Sequence, residues 1–333
     1  MSRNWQRVLR QHVVPLSRTT SLVPWTLAHD GRSFFATVRT TGFSGVARVD
    51  AKTGDVMKIK SFSDPANEQA DGSFDGRWLV WDEYRGFTSF DDFTTWAWDS
   101  STGELRQIGA AKRGPTGDFW GSPWRAPDVR AGIATWVQGS GPDELTEVHL
   151  YNLRSDRDTV VSGRHAQGSF LIHGHRVAWP ESRRRGAETQ MYVTSSTGQP
   201  VPVPPALRGL HGVSGLATDG LRIASPTARY KALWWSPSLA HDPERVVAAL
   251  RDNHIDNSVQ IAGRWIGFGI QPRVFVADTK NRRYIEIAAH GGWTRLDARS
   301  LLVLYATGAK ALDARAPIAL VPLRDLPPMP GCA

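Results

Sequence analysis

The chain has 333 residues, 41% hydrophobic and 22% charged, which is material for a sizeable packed core and excludes a disordered or collagen-like chain. Its formal net charge is +8, and its one cysteine, Cys332, has no intramolecular partner, so a disulfide scaffold and a cysteine metal site are excluded and a reducing cytoplasm is the expected setting. Seven of the 40 basic residues are lysine and the other 33 are arginines scattered along the chain; scatter supports solubility and loose attraction to polyanions, with no specific nucleic-acid partner.

The first ten residues carry signal-like charge, but Gln11, His12 and Pro15 interrupt what would be an apolar run. No stretch approaches a membrane span, so the chain is expected to be neither exported nor anchored. Residues 1–24 precede the repeats described next, and Val8, Val13, Val14 and Leu16 there suit either a strand that closes a ring against the last repeat or a short helix over it.

From residue 25 to 323 one element recurs, a turn followed by an apolar run. It reads Asp30-Gly-Arg-Ser-Phe-Phe-Ala, Asp75-Gly-Arg-Trp-Leu-Val-Trp81, Val129-Arg-Ala-Gly-Ile-Ala-Thr-Trp136, His173-Gly-His-Arg-Val-Ala-Trp179, Asp219-Gly-Leu-Arg-Ile-Ala-Ser225, Ala262-Gly-Arg-Trp-Ile-Gly-Phe268 and Asp297-Ala-Arg-Ser-Leu-Leu-Val303. The aligned positions Phe34, Leu79, Ile133, Val177, Ile223, Ile266 and Leu302 lie 45, 54, 44, 46, 43 and 36 residues apart. A second turn signal falls out of phase with the first: Asp50-Ala-Lys-Thr-Gly54, Asp99-Ser-Ser-Thr-Gly103, Asn152 to Asp156, Thr194-Ser-Ser-Thr-Gly198, Asp278 to Arg282 and, more weakly, Asp313 to Pro317. The missing fifth copy is expected around Ser236-Pro-Ser-Leu. Two hairpin turns per repeat mean four strands per repeat, and the fold expected is an all-β propeller of seven blades with four antiparallel strands each. The short last spacing leaves six as the alternative count. Small polar pairs such as Gly72-Ser73, Gly121-Ser122 and Gly168-Ser169 are expected on the innermost strands, and Trp78, Trp81, Trp136, Trp179 and Trp265 between blades. A Pro-rich tail, 324–333, follows.

The pattern Asp-Gly-x-x-Ile/Leu-Val/Ala-Trp, then a strand, then Asp-x-x-Thr-Gly resembles the bacterial TolB-like and WD40-like β-propellers over roughly residues 25 to 323. The resemblance implies the fold alone, because such propellers serve as scaffolds, peptidase accessory domains, lyases, hydrolases and binding proteins. The regularly placed Trp-Asp dipeptide of eukaryotic WD40 blades is missing.

Function is expected where the outer strand of one blade crosses to the inner strand of the next. The crossover segments carry His165, His211, His254 and His290, one in each of four consecutive repeats and 11, 11, 10 and 9 residues before Arg176, Arg222, Arg264 and Arg299. Earlier repeats place Glu68, Asp71 and Asp118 nearby. Such a rim could supply an acid and a base or hold a divalent metal, Zn or Mn; the same histidines also suit strand-end caps. A second signal is aromatic. Gly117 to Arg125 is expected along the third inner strand, and Asp82-Glu83-Tyr84-Arg85-Gly-Phe87 is expected to open a long loop, the two forming one wall of a pocket. Tyr84, Trp120 and Trp293 could stack on a ligand, Arg85, Arg125 and Arg229 could hold an anion, and Glu83 could act as a base. Trp120 plugging the channel and Arg125 pairing with Asp128 is the plainer alternative. The function expected is binding of a polar small molecule or short peptide at the channel mouth, with lyase, cyclase or hydrolase chemistry. The alternative is a non-catalytic scaffold for a protein partner.

Overall fold

The computed structural model describes residues 3–66, 68–85, 91–120, 126–141, 145–173, 175–182, 189–208, 210, 216–226, 232–248, 255, 259–270, 273–288, 292–305 and 316–329. A helix, α1 (Arg3–Gln11), comes first. Blade one holds β1–β4 (Ser21–Leu27, Ser33–Thr40, Phe43–Asp50, Val56–Ser61), and blade two β5–β8 (Glu68–Phe74, Trp78–Arg85, Phe93–Asp99, Leu105–Ala110). Blade three holds β9–β12 (Asp128–Arg130, Ile133–Gly139, Leu145–Asn152, Arg157–Arg164), and blade four β13–β15 (Phe170–Ile172, Arg176–Ser182, Thr189–Ser195). After the short helix α2 (Pro205–Arg208) come blade five, β16–β19 (Ala217–Thr218, Ile223–Pro226, Ala232–Ser236, Glu244–Ala248), and blade six, β20–β23 (Gln260–Ala262, Trp265–Ile270, Arg273–Asp278, Arg283–Ala288). Blade seven holds β24–β26 (Gly292–Leu296, Ser300–Tyr305, Ile318–Pro322).

Among the described residues the strands thus form seven antiparallel sheets, each ordered as the chain runs. Contacts divide the chain into two compact units, 1–43 with 47–58 and 213–333, and 44–46 with 59–212. In the second unit the first strands β5, β9 and β13 stand side by side; in the first unit β16, β20, β24 and β1 do. First strands in file, each opening a meander of three or four, make a seven-bladed β-propeller. The apolar clusters confirm what holds the blades: Trp78, Val80 and Ala97 of blade two pack on Val129, Ala134 and Trp136 of blade three, and Ile133 and Leu150 of blade three on Leu171 and Trp179 of blade four. All five tryptophans expected between blades are buried.

All seven first turns fall between the first and second strands of their blades, and an aspartate organises four of them. In each, one carboxylate oxygen accepts two backbone N–H bonds: Asp30 from Arg32 and Ser33, Asp75 from Arg77 and Trp78, Asp219 from Leu221 and Arg222, and Asp297 from Arg299 and Ser300. The second oxygen of Asp75 accepts the Gly132 N–H from the matching turn of blade three at 2.8 Å. Asp219 does the same for Gly263 of blade six at 3.0 Å. The second turn signal joins the third and fourth strands in blades one, two, three and six, and Ser236-Pro-Ser-Leu joins β18 to β19; in blade four, which has three strands, it is closed by a single Thr194–Pro200 bridge. Of the weak copy from Asp313 to Pro317, residues 313–315 lie outside the described residues.

The expected inner strands need correction. Gly72 and Ser73 lie in β5, where a Cβ on Gly72 would meet the Val80 carbonyl oxygen at 2.1 Å. Gly168 and Ser169 precede β13, which carries Phe170, Leu171 and Ile172 instead, and β9 carries Val129; Gly121 and Ser122 lie outside the described residues. Apolar side chains therefore fill these two inner strands.

The N-terminal segment supplies both structures for which it was suited. Trp5 and Leu9 of α1 are buried against blades six and seven. Val13 then pairs antiparallel with Ala319, and the Val14 N–H donates to Ile318 at 2.9 Å, so the segment takes the outer-strand position of blade seven.

The shared aspartate yields a measurable expectation. Asp75→Ala should cost about 2–4 kcal/mol in urea denaturation, because three backbone N–H groups lose a charged acceptor. Asp75→Asn keeps the turn oxygen and turns an amide N–H toward Gly132, so about half that loss is expected; equal stability of both variants to wild type would contradict a role for the turn in holding blades together.

Candidate functional site at the crossover end of blade two

Because strands alternate in direction, the first and third turns of a blade lie at one end, and the crossovers and second connections lie at the other. Blade two gathers Glu68, Asp71, Asp82, Glu83 and Arg85 toward the second end. β6 runs through Asp82, Glu83, Tyr84 and Arg85 to its last residue, so these four are strand residues, not the opening of a loop. Glu68 and Asp71 likewise lie within β5. Strand alternation then sends them to two faces.

On the face toward blade three, Asp71 stands opposite Asp82 and Asp82 opposite Thr95. The Thr95 hydroxyl donates to Asp82 at 2.6 Å. Asp82 is buried. Its carboxyl is pushed up to about 8, mainly by loss of water, with the Asp71 charge adding and the Thr95 hydrogen bond opposing. Asp82 is therefore a neutral carboxylic acid at pH 7, beside a half-buried carboxyl on the innermost strand. Tyr84 is on the same face, buried in the packing between blades two and three, and burial raises its hydroxyl well above the ordinary range.

On the other face Glu68 is opposite Arg85 and Ala70 opposite Glu83. Glu83 is paired with Lys60 at 2.7 Å, and Lys60 also sits over the Trp96 ring. Burial raises the Glu83 carboxyl and the lysine opposes the rise. Arg85 lies 3.4 Å from the wholly buried Glu68 and 3.8 Å from Asp92, while its own side chain is 60% exposed. An exposed arginine anchored on a buried and a half-buried carboxylate can meet an anion without a large reorganisation.

The remaining expected residues are dispersed. Asp118 and Trp120 belong to a small hairpin closed by the Arg113–Phe119 bridge, before blade three, whose inner strand begins at Asp128; the expected strand over 117–125 is thus corrected. A Cβ at Gly114 would meet the Trp120 indole nitrogen at 2.7 Å, so glycine there admits the ring. His165 follows β12 in the left-handed region, φ 52°, and the Ala166 N–H beyond it donates to the Thr146 hydroxyl. Trp293 is on β24, half-buried, with the Arg295 guanidinium 4.7 Å over its ring. His211, His254, His290, Arg125 and Arg229 lie outside the described residues. Among the described residues no group of three or more His, Cys, Asp or Glu side chains is arranged to hold a metal ion, and no helix is long and apolar enough to cross a membrane.

No protein-family model and no curated protein matches the chain. Several solved structures are similar in fold. The propeller domain of the Trilobed protease from Pyrococcus furiosus has a TM-score of 0.58 at 12% identity, covering 87% of this chain and 90% of that one. An uncharacterised Listeria monocytogenes protein has 0.56 at 10%, covering 91% and 99%. An oligogalacturonate lyase in complex with manganese has 0.50 at 10%, covering 92% and 91%. At these identities the likeness is one of fold, and the resemblance to bacterial TolB-like propellers holds at that level.

Asp82 gives stability a pH dependence of known sign. Between about 4, the ordinary aspartate value, and about 8, the folded chain keeps a proton that the unfolded chain has released, so this group lowers stability as pH rises through that window. Asp82→Asn should remove that contribution. Urea denaturation at pH 5 and pH 8 should show the variant gaining on wild type toward pH 8; parallel pH profiles would refute the raised carboxyl.

Proposed function

We propose that the crossover end of blade two binds a polar small molecule or short peptide, and that Asp82 and Asp71 exchange a proton with it in lyase or hydrolase chemistry. One observation carries this reading: a neutral acid and a second carboxyl are paired across the two innermost strands. Apolar residues at both positions would pack without a desolvation cost, whereas a carboxyl raised to about 8 suits proton donation near neutral pH. Asp71, the more exposed of the two, is the group that meets the ligand, and Asp82 sets its protonation. Arg85 then orients an anionic group of the ligand. The lyase with manganese among the similar folds makes such chemistry compatible with the architecture and supplies no residue roles.

A thermal-shift panel of sugar acids, amino acids and tripeptides tests the proposal. Some members should raise the melting temperature of wild type, and Asp71→Asn or Arg85→Ala should abolish the shift. His173→Ala and His175→Ala, on exposed turn residues at the opposite end of blade four, should leave it intact. Apparent binding should change with a midpoint near pH 8 that Asp82→Asn removes. A panel without effect on wild type, or shifts that survive Asp71→Asn, would favour the scaffold.

A further inference from the structure

At the opposite, hairpin end of blade six lies a cavity of about 470 Å3, roofed by the segment that follows β26. Its charged lining is Arg264, Arg283, Arg324 and Asp278, so three guanidinium groups face one carboxylate. That carboxylate is already used. Asp278 is buried, accepts from the Lys280 and Asn281 N–H groups, and takes the Asn281 amide at 2.7 Å.

The matching position in blade two shows what a closed version looks like. There Arg77 engages Asp99 through two nitrogens at 2.5 to 3.0 Å. In blade six the equivalent Arg264 lies 3.7 Å from Asp278 through Nε, beyond hydrogen-bond distance, with its guanidinium 4.8 Å over the Trp265 ring. Stacking fixes the plane of that fork while leaving its outer nitrogens uncommitted. Arg283, at the start of β23, has no carboxylate within ion-pair distance among the described residues, and Arg324 has only the exposed Asp325 at 3.7 Å.

We propose that this cavity is an anion site for a small phosphorylated compound. Three arginines against one aspartate leave a lining charge of +2, and a phosphate monoester carries about −1.5 to −2 near neutral pH, a pyrophosphate more. A monocarboxylate would leave one guanidinium uncompensated. The planar forks match phosphate oxygens two at a time, and Met329 with the neighbouring prolines offers an apolar wall for the remainder of the molecule. The site is independent of the crossover end of blade two.

The test is calorimetric titration of the full chain with inorganic pyrophosphate at physiological salt. Saturable one-to-one binding is expected, and Arg283→Ala should weaken it at least about ten-fold, the loss of one charge-assisted bidentate contact. Arg283 is exposed, so its melting temperature without ligand should match wild type. Arg7→Ala with Arg10→Ala, on the exposed face of α1, should change the affinity little. No saturable binding, or equal weakening by the helix variant and Arg283→Ala, would reduce the effect to diffuse attraction and overturn the proposal. Phosphatidylcholine vesicles containing phosphatidic acid form the second arm; binding to these without binding to pyrophosphate would assign the arginines to a membrane surface and overturn it equally.

Discussion

A single carboxylate geometry ties local chain direction to the packing of blades. An aspartate at the first turn uses one oxygen to hold the two amides that begin the second strand. In blades two and five its other oxygen holds the glycine amide of the following turn. Sheets that touch only through side chains could slide along one another with little cost, since apolar contact is non-directional. A hydrogen bond of defined length at one end removes that freedom, and the tryptophans and branched side chains between blades can then pack in one register. The turn that reverses the chain is thus also the joint between sheets.

This explains which parts of the fold were legible in the sequence. The Asp-x-x-x pattern is local: it needs a short acceptor side chain, and three of the four turns add a glycine at φ 74°, 102° and 93° (Gly31, Gly76 and Gly220) where the fourth has Ala298, so the pattern appears as residue identities at regular intervals. Inner strands have no comparable requirement. Among the described residues Gly72, where the neighbouring backbone leaves no room for a Cβ, and Ser73 beside it follow the small-residue expectation, and Phe170 to Ile172 show that width near the first strands is available elsewhere.

The candidate site was half legible. Asp71, Glu83, Tyr84 and Arg85 were singled out by chemistry, but reading them as a loop erased the alternation that separates Asp82 and Tyr84 from Glu83 and Arg85. Trp78, Val80, Asp82 and Tyr84 share one face, so a carboxyl in that series had to be buried; counting residues in steps of two through the strand was the available signal. Lys60 could not be found this way. It reaches Glu83 from another blade, and no spacing along the chain encodes that contact. The same holds for the arginines of blade six, whose neighbours come from the segment after the last strand.

Val13 and Ala319 lie at opposite extremes of the polypeptide, yet they are partners in one sheet. During synthesis Val13 must wait unpaired until Ala319 has been made, so blade seven completes itself after the six blades between them. Long-range pairing of this kind slows folding, because most of the chain must be ordered before the contact forms. In exchange, Val13 and β26 are held in one sheet: pulling on the residues just before Val14 strains the same sheet as pulling on β26. Mechanical load or a protease acting near the start of the chain would therefore be felt first in its final blade.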